Sequence, residues 1–295
     1  RSQAAGFRVS LMVESRITRI LLRLGAGFTL AFIYIPLFVI GLYAFNRNVT
    51  QAWPIENYST RWFSIAFHNE AVRDALKLSV MAALGATTVA LVLGTLASMA
   101  VARYSFFGRE VITFAVILPI ALPGIITGLA LQATIIDVLG PLGVSFGLTT
   151  IIVGHATFCV VVVYNNVIAR MRRTAGSLDE ASADLGADNW QTFRYVMFPQ
   201  MRTALLAGAL LAFALSFDEV VVTIFTSGAE QTLPIWIFAT LSRPAELPIV
   251  NVVALFVIVA SIIPVYFAQR LAGSSGLTGE RPKQGAIAAS IEAEP

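Results

Sequence analysis

The stretch from Ile20 to Phe45 carries a single charged residue, Arg23, and that feature rules out most folds open to a chain of this size. A helix needs only about 20 apolar residues to cross a hydrocarbon layer roughly 30 Å thick. Five more such runs follow, at about Ala75–Ala102, Val111–Ile136, Leu148–Ala169, Thr203–Thr226 and Pro248–Gln269. Lipid offers the backbone no hydrogen-bond partner, so each run must satisfy itself as a helix. Charged residues make up 13% of the chain, against about 25% in soluble domains. The reading is an all-α membrane protein with six transmembrane helices. The first run is too long for a signal-peptide core and lacks a small-residue cleavage site, so it is expected to remain as an anchor.

Six spans put both termini on one side of the bilayer. Arg47, Arg61, Arg73, Lys77 and Arg243 fall on the other side, leaving fifteen of the twenty Lys and Arg with the termini. Basic residues accumulate in cytoplasmic segments, which predicts cytoplasmic termini. Three parts are expected: an arm over residues 1–19, a six-helix core over 20–270, and a polar, disordered tail over 271–295. Residues 46–74, 137–147 and 227–247 read as loops. Trp53, Tyr58, Trp62 and Phe63 suit the headgroup level, or a contact with a binding protein. Pro119, Pro123, Gly124 and Gly128 predict a kinked third helix, bordering a pathway or simply packed closely on a neighbour.

The segment from Arg170 to Arg202 is the longest polar interruption on the side of the termini. Ser177, with Glu180 three residues on, has the form of a capping box and predicts a helix from Leu178. Gly186 should end it in a left-handed conformation, where a side chain would clash. Asp188 should cap a second helix with Gln191 as its reciprocal partner, and Pro199 should close that helix. Trp190, Phe193, Val196 and Met197 give it more apolar surface than a solvated loop needs. Such a surface is suited to the grip of another protein; the plainer alternative is an ordinary capped loop.

The same segment resembles the cytoplasmic loop of bacterial ABC-transporter permeases of the binding-protein-dependent importer type, which has the form Glu-Ala-Ala-x3-Gly-x9-Ile-x-Leu-Pro. Glu180, Ala181 and Gly186 match outright, Ser182 replaces the second alanine, and Val196, Phe198 and Pro199 fill the last three places. The resemblance implies a coupling helix between spans four and five, seated on an ATP-binding subunit, with Trp190 on its apolar face. It also implies two cytoplasmic ATP-binding subunits, a second permease subunit, identical or different, and a periplasmic solute-binding protein, all in or on the bacterial inner membrane. No nucleic-acid partner is expected.

Asp218 and Glu219 lie inside the fifth apolar run. Counted from Thr203 at about 1.5 Å per residue, they stand roughly 22 Å into the bilayer, where one acid costs on the order of 3 kcal/mol. Facing lipid is therefore excluded for at least one of them. A wet, cation-attracting cavity is one reading; pairing with a basic group on another chain, or a span end drawn too long, are the others. Adjacent residues point about 100° apart, placing Asp218 with Leu211, Leu215 and Val222, and Glu219 nearer the small-residue stripe Ala204, Gly208, Ala212 and Ser216. The sequence LSFDEVVVTIFTSG resembles the fifth span of spermidine/putrescine permeases, which implies a small cationic cargo; other members of the family carry opines, ferric iron, thiamine or phosphonates. A proton-coupled secondary transporter and a non-transporting membrane scaffold are the remaining alternatives.

No Gly-x4-Gly-Lys-Ser/Thr run is present, so ATP and Mg are expected on a partner subunit and this chain is not expected to be an enzyme. His68 and His155 are isolated, which gives no metal cluster. Cys159 reads as a small packing residue.

Overall fold

The computed structural model describes residues 16–174 and 176–274; most of the arm and tail expected at the two ends lies outside them. Helix α1 (Arg16–Ala44) leads through α2 (Arg61–His68) to the long α3 (Glu70–Arg103). Helices α4 (Arg109–Ala121) and α5 (Gly124–Thr134) follow, the latter running on through a π turn and a 3-10 turn to Leu142. Then come α6 (Leu148–Arg172), α7 (Ser177–Asp184), α8 (Asn189–Gln191), a π turn over Thr192–Met197 and α9 (Phe198–Phe217). Helices α10 (Val221–Thr226), α11 (Leu233–Thr240) and α12 (Leu247–Ser274) complete the described chain. Six segments are long and apolar enough to cross a membrane: Ile17–Ala44, Glu70–Arg103, Gly124–Leu142, Leu148–Arg172, Asn189–Phe217 and Pro244–Ile262. Among the described residues no β-sheet forms; Asn46 and Tyr58 make an isolated antiparallel bridge.

Helix α6 is the centre of the bundle, with α3 and α9 against it. Small residues let the three backbones approach. A Cβ on Gly94 would stand 2.9 Å from the Val160 carbonyl oxygen, and one on Gly208 would stand 3.3 Å from Val163 Cα. Between membrane helices, where lipid is as apolar as leucine, such close packing supplies the attraction. A second cluster joins Trp62 and Ala66 of α2 to Val72 and Ala75 of α3, Leu233 and Trp236 of α11, and Val250 and Val253 of α12. Helix α1 packs chiefly on α12 and leaves Phe28, Phe32 and Phe38 exposed.

Four expectations need correction. The stretches read as loops at 46–74 and 227–247 contain α2 and α11, short helices that dock on the bundle. Trp62 is buried, donating its indole N–H to the Asn46 carbonyl at 2.9 Å, whereas Trp53 and Tyr58 are exposed. The third span is broken rather than kinked: Leu122 is extended, with ψ 144°, because Pro123 drives the residue before it out of the helical region. The helical path of the fifth apolar run begins earlier than Thr203, at Asn189, stops at Phe217 and resumes at Val221. The two breaks adjoin. A Cβ on Gly124 would lie 3.6 Å from Val221 Cγ1, and one on Gly128 would run into the Phe225 ring, so α5 and α10 pack as a pair.

Candidate functional site

The segment between α6 and α9 folds into an elbow. Helix α7 begins at Ser177, one residue earlier than the capping-box register requires. The N-cap position therefore falls on Gly176, which has no side chain, and no Ser177–Glu180 box forms. Instead the Gly176 carbonyl receives the Asp179 amide at 3.0 Å. The end of α7 follows the expected course. Gly186 has φ +84°, and the amides of Gly186 and Ala187 reach back to the carbonyls of Ala183 and Ser182. The expected clash at Gly186 is absent, since a Cβ there would meet nothing within 4 Å. The glycine is required by its backbone angle.

The second capping box does form. The Asp188 carboxylate accepts the Gln191 amide at 2.8 Å, and the Gln191 side-chain oxygen accepts the Asp188 amide at 3.0 Å. Pro199, however, does not close a helix. The preceding π turn, in which the Phe198 amide bonds the Phe193 carbonyl, widens the helix just ahead of the residue that has no amide, and the chain continues to Phe217. A wide turn of this kind absorbs a proline that would break a regular helix. The elbow is thus joined without interruption to the fifth span.

Within the elbow the predicted residues divide by environment. Ser182 is buried, its hydroxyl 2.7 Å from that of Thr192, and this contact ties α7 to the helix that follows. Trp190, Phe193 and Phe198 form a ring ladder with centroids 5.7 and 6.2 Å apart, and Val196 is half-buried beside it. Glu180, Ala181, Gly186 and Pro199 are exposed. So are Leu185 at 90% and Trp190 at 66%.

Two anchors escaped the sequence reading. Arg103, at the end of α3, approaches Asp179 of α7 with Nε 2.8 Å from a carboxylate oxygen, both side chains about four-fifths buried. Its Nε–H is not aligned for a hydrogen bond, so the contact is an ion pair by proximity. Arg170 donates from Nε to the Gln200 carbonyl at 2.9 Å, fastening α6 to α9. Sequence spacing gives no hint of either, because the partners are distant in the chain.

At the far end of α9, Asp218 and Glu219 sit in the break itself. Glu219 is half-buried and caps α10, its Oε1 accepting the Val222 amide at 2.9 Å. Asp218 is exposed on the chain's surface at the C-terminal end of α9. Of the small stripe behind them, Gly208, Ala212 and Ser216 are buried against α6, while Ala204 is half-buried. Leu211 and Leu215 share Asp218's exposed face, but Val222 does not: the break turns it inward. The acids therefore have different settings. Glu219 meets the positive end of a helix, while Asp218 adds its charge to a negative one. A wide apolar groove of about 730 Å³ lies elsewhere, beside Trp190, Phe198 and Arg202.

The family described as binding-protein-dependent transport system inner membrane component matches residues 90–273. The putrescine transport system permease protein PotI of Escherichia coli (strain K12) is 33% identical over 237 residues, covering 79% of this chain and 83% of that protein. The spermidine/putrescine transport system permease protein PotC of Haemophilus influenzae is 31% identical over 241 residues, covering 81% and 91%. Among solved structures, a bacterial ABC transporter involved in the import of the acidic polysaccharide alginate superposes with a TM-score of 0.63 at 17% identity, over 88% of this chain and 96% of its counterpart. At that identity the likeness concerns the fold.

Proposed function

Because this chain belongs to the family of binding-protein-dependent transport system inner membrane components, we propose that it is the permease subunit of an ATP-driven importer of a small organic polycation, of the putrescine or spermidine kind. The elbow is the coupling surface in this reading. Glu180, Ala181, Leu185 and Trp190 meet an ATP-binding subunit, Ser182 and Gly186 hold the shape of the elbow, and Val196, Phe198 and Pro199 carry it into the span. Two such subunits, a second permease and a periplasmic binding protein complete the transporter. Both termini then lie in the cytoplasm, and ATP and Mg stay on the partner.

The single observation that carries the reading is continuity. One helical path runs from the Asp188 cap to Phe217 and ends at the acid-bearing break. Irregular backbone at membrane depth is tolerated only where protein buries it or water reaches it, and Asp218 is not covered by its own chain. We assign Asp218 to the pathway, where its charge and the negative end of α9 together draw in a cation. Glu219 shapes the break and contributes field from behind.

The test is uptake by the full complex in proteoliposomes, with radiolabelled putrescine and spermidine delivered by the binding protein. Import is expected to require ATP and to survive collapse of the proton gradient. Uptake that dies with the gradient while ATP is held constant would make this a secondary transporter. ATP-dependent uptake of an opine, thiamine, ferric iron or a phosphonate in place of the amines would keep the machine and replace the cargo.

A further inference from the structure

His155 stands in α6, 1% exposed, and both of its ring nitrogens are engaged. Nδ1 lies 2.7 Å from the Ser216 hydroxyl, at the end of α9, and Nε2 lies 2.8 Å from the Thr223 hydroxyl, in α10. These two residues flank the break at 218–220, so one imidazole spans it. The protons can be ordered. Thr223 donates its hydroxyl proton to the Glu219 carbonyl at 2.7 Å, which leaves its oxygen to accept from His155 Nε2–H. Nδ1 is then the acceptor, and Ser216 donates to it. The chain runs in one direction: Ser216 to His155 to Thr223 to the Glu219 backbone.

Neighbouring contacts draw α10 onto the same face of α6. Thr150 donates to the Thr226 carbonyl at 2.7 Å, and a Cβ on Gly154 would lie 3.1 Å from Val222 Cγ1. On the other side of the break, the Cys159 thiol reaches the Ala212 carbonyl. Helix α6 thus holds both halves of the fifth span, and its own far end leads into the elbow.

We infer that His155 is a positioning residue, a bridge that ties both sides of the break to α6 and sets where Asp218 and Glu219 stand when the elbow moves. The inference rests on the importer reading above. It predicts that loss of the bridge leaves the transporter assembled but loosens the link between hydrolysis and import.

Two measurements on the full complex in lipid nanodiscs and proteoliposomes test it. The first is the ratio of solute imported to ATP hydrolysed. Thr223→Val keeps the shape of threonine without the hydroxyl and should lower the ratio about threefold, the worth of one ordinary interhelical hydrogen bond in a membrane; His155→Leu, losing both, should lower it about eightfold. Thr223→Ser should restore it. Co-purification of the ATP-binding subunit should be unchanged in all three. The second is the distance distribution between spin labels at the exposed positions of Leu211 and Ile224, on either side of the break. It should be narrow in the wild type and in Thr223→Ser, and broadened in Thr223→Val.

Unchanged ratio and unchanged distribution in Thr223→Val overturn the bridge. A change of the same size in Thr223→Ser overturns it too, since the hydroxyl would then be irrelevant. If the wild type imports no polyamine but the distribution still broadens, the bridge stands and the cargo reading falls.

Discussion

Replacing Gly186 by alanine should weaken docking of the ATP-binding subunit through backbone strain alone. The residue sits at φ +84° with nothing within 4 Å of its Cβ position, so the substitution adds no clash inside the chain. What it adds is the cost of holding an L-residue in the left-handed region, about 1–2 kcal/mol. Little opposes that strain. Helix α7 is held by the Ser182–Thr192 hydroxyl contact, worth about 1 kcal/mol, and by the Arg103–Asp179 pair. A change of one or two kcal/mol shifts the balance between docked and splayed elbow by a factor of about 5–30. The assay is the affinity of the nanodisc-embedded permease pair for the purified ATP-binding subunit, across glycine, asparagine, alanine and valine at this position. Asparagine adopts the left-handed conformation more readily than alanine, and β-branched valine least of all, so affinity should fall in that order. A flat series would refute the strain argument. So would asparagine binding worse than alanine, because bulk against the partner would then be the determinant.

Asp218→Asn should raise the KM for cation import at least tenfold, whereas Glu219→Gln, whose side-chain oxygen can still cap Val222, should have a smaller effect; equal and normal uptake in both would make the acids structural. Arg103→Leu strands the Asp179 carboxylate and should destabilise the elbow by about 2 kcal/mol, between the exposed and fully buried limits; the exchange Arg103→Asp with Asp179→Arg should recover part of the loss in the docking assay, and no recovery would deny the pair its role. Leu185→Asp should leave folding and membrane insertion within about 0.5 kcal/mol of wild type yet cut subunit affinity by at least tenfold, as expected if the side chain is buried on docking; undiminished affinity would remove Leu185 from the interface. Leu206→Pro, placed on the half-exposed face in the middle of α9, should leave ATP hydrolysis by the assembled complex intact and abolish uptake; equal loss of both would locate force transmission outside this helix.

The parts of the fold that sequence reveals are those decided locally. Six apolar runs dictate six spans, Asp188 and Gln191 announce a cap that forms, and Gly186 announces a left-handed turn. The misreadings arose where the decision is made at a distance or one residue away. Ser177 fits a capping box by type, but Gly176 takes the N-cap. Pro199 looks like a terminus because a regular helix cannot pass it, and nothing local says that a π turn will form before it. The break at 218–220 contains neither proline nor glycine; it exists because Glu219 caps its own continuation and His155 bonds both flanking hydroxyls, accepting from Ser216 and donating to Thr223. A lone histidine inside an apolar run was the available signal, since a polar residue at that depth needs partners.

Under the proposed function, the geometry sets how far a movement of the elbow would displace the break. The helical path from Asn189 to Phe217 is roughly 43 Å long at about 1.5 Å per residue. A rigid tilt of about 5° at its elbow end would carry the break sideways by about 4 Å on that length, comparable to the width of an aliphatic amine. The anchors set where the movement can occur. Arg170 fixes α6 to α9 at Gln200, near the elbow, and His155 fixes α6 to both halves of the span at the break. Between them α9 is pinned to α6 by small residues and by no other long-range side-chain hydrogen bond among the described residues than that of Cys159. Fastened at both ends, α6 and α9 would tilt together under the proposed function, with one fastening near the elbow and the other beside the acids. Moving as one unit, the pair would carry a displacement of the elbow to Asp218 in the proposed transporter.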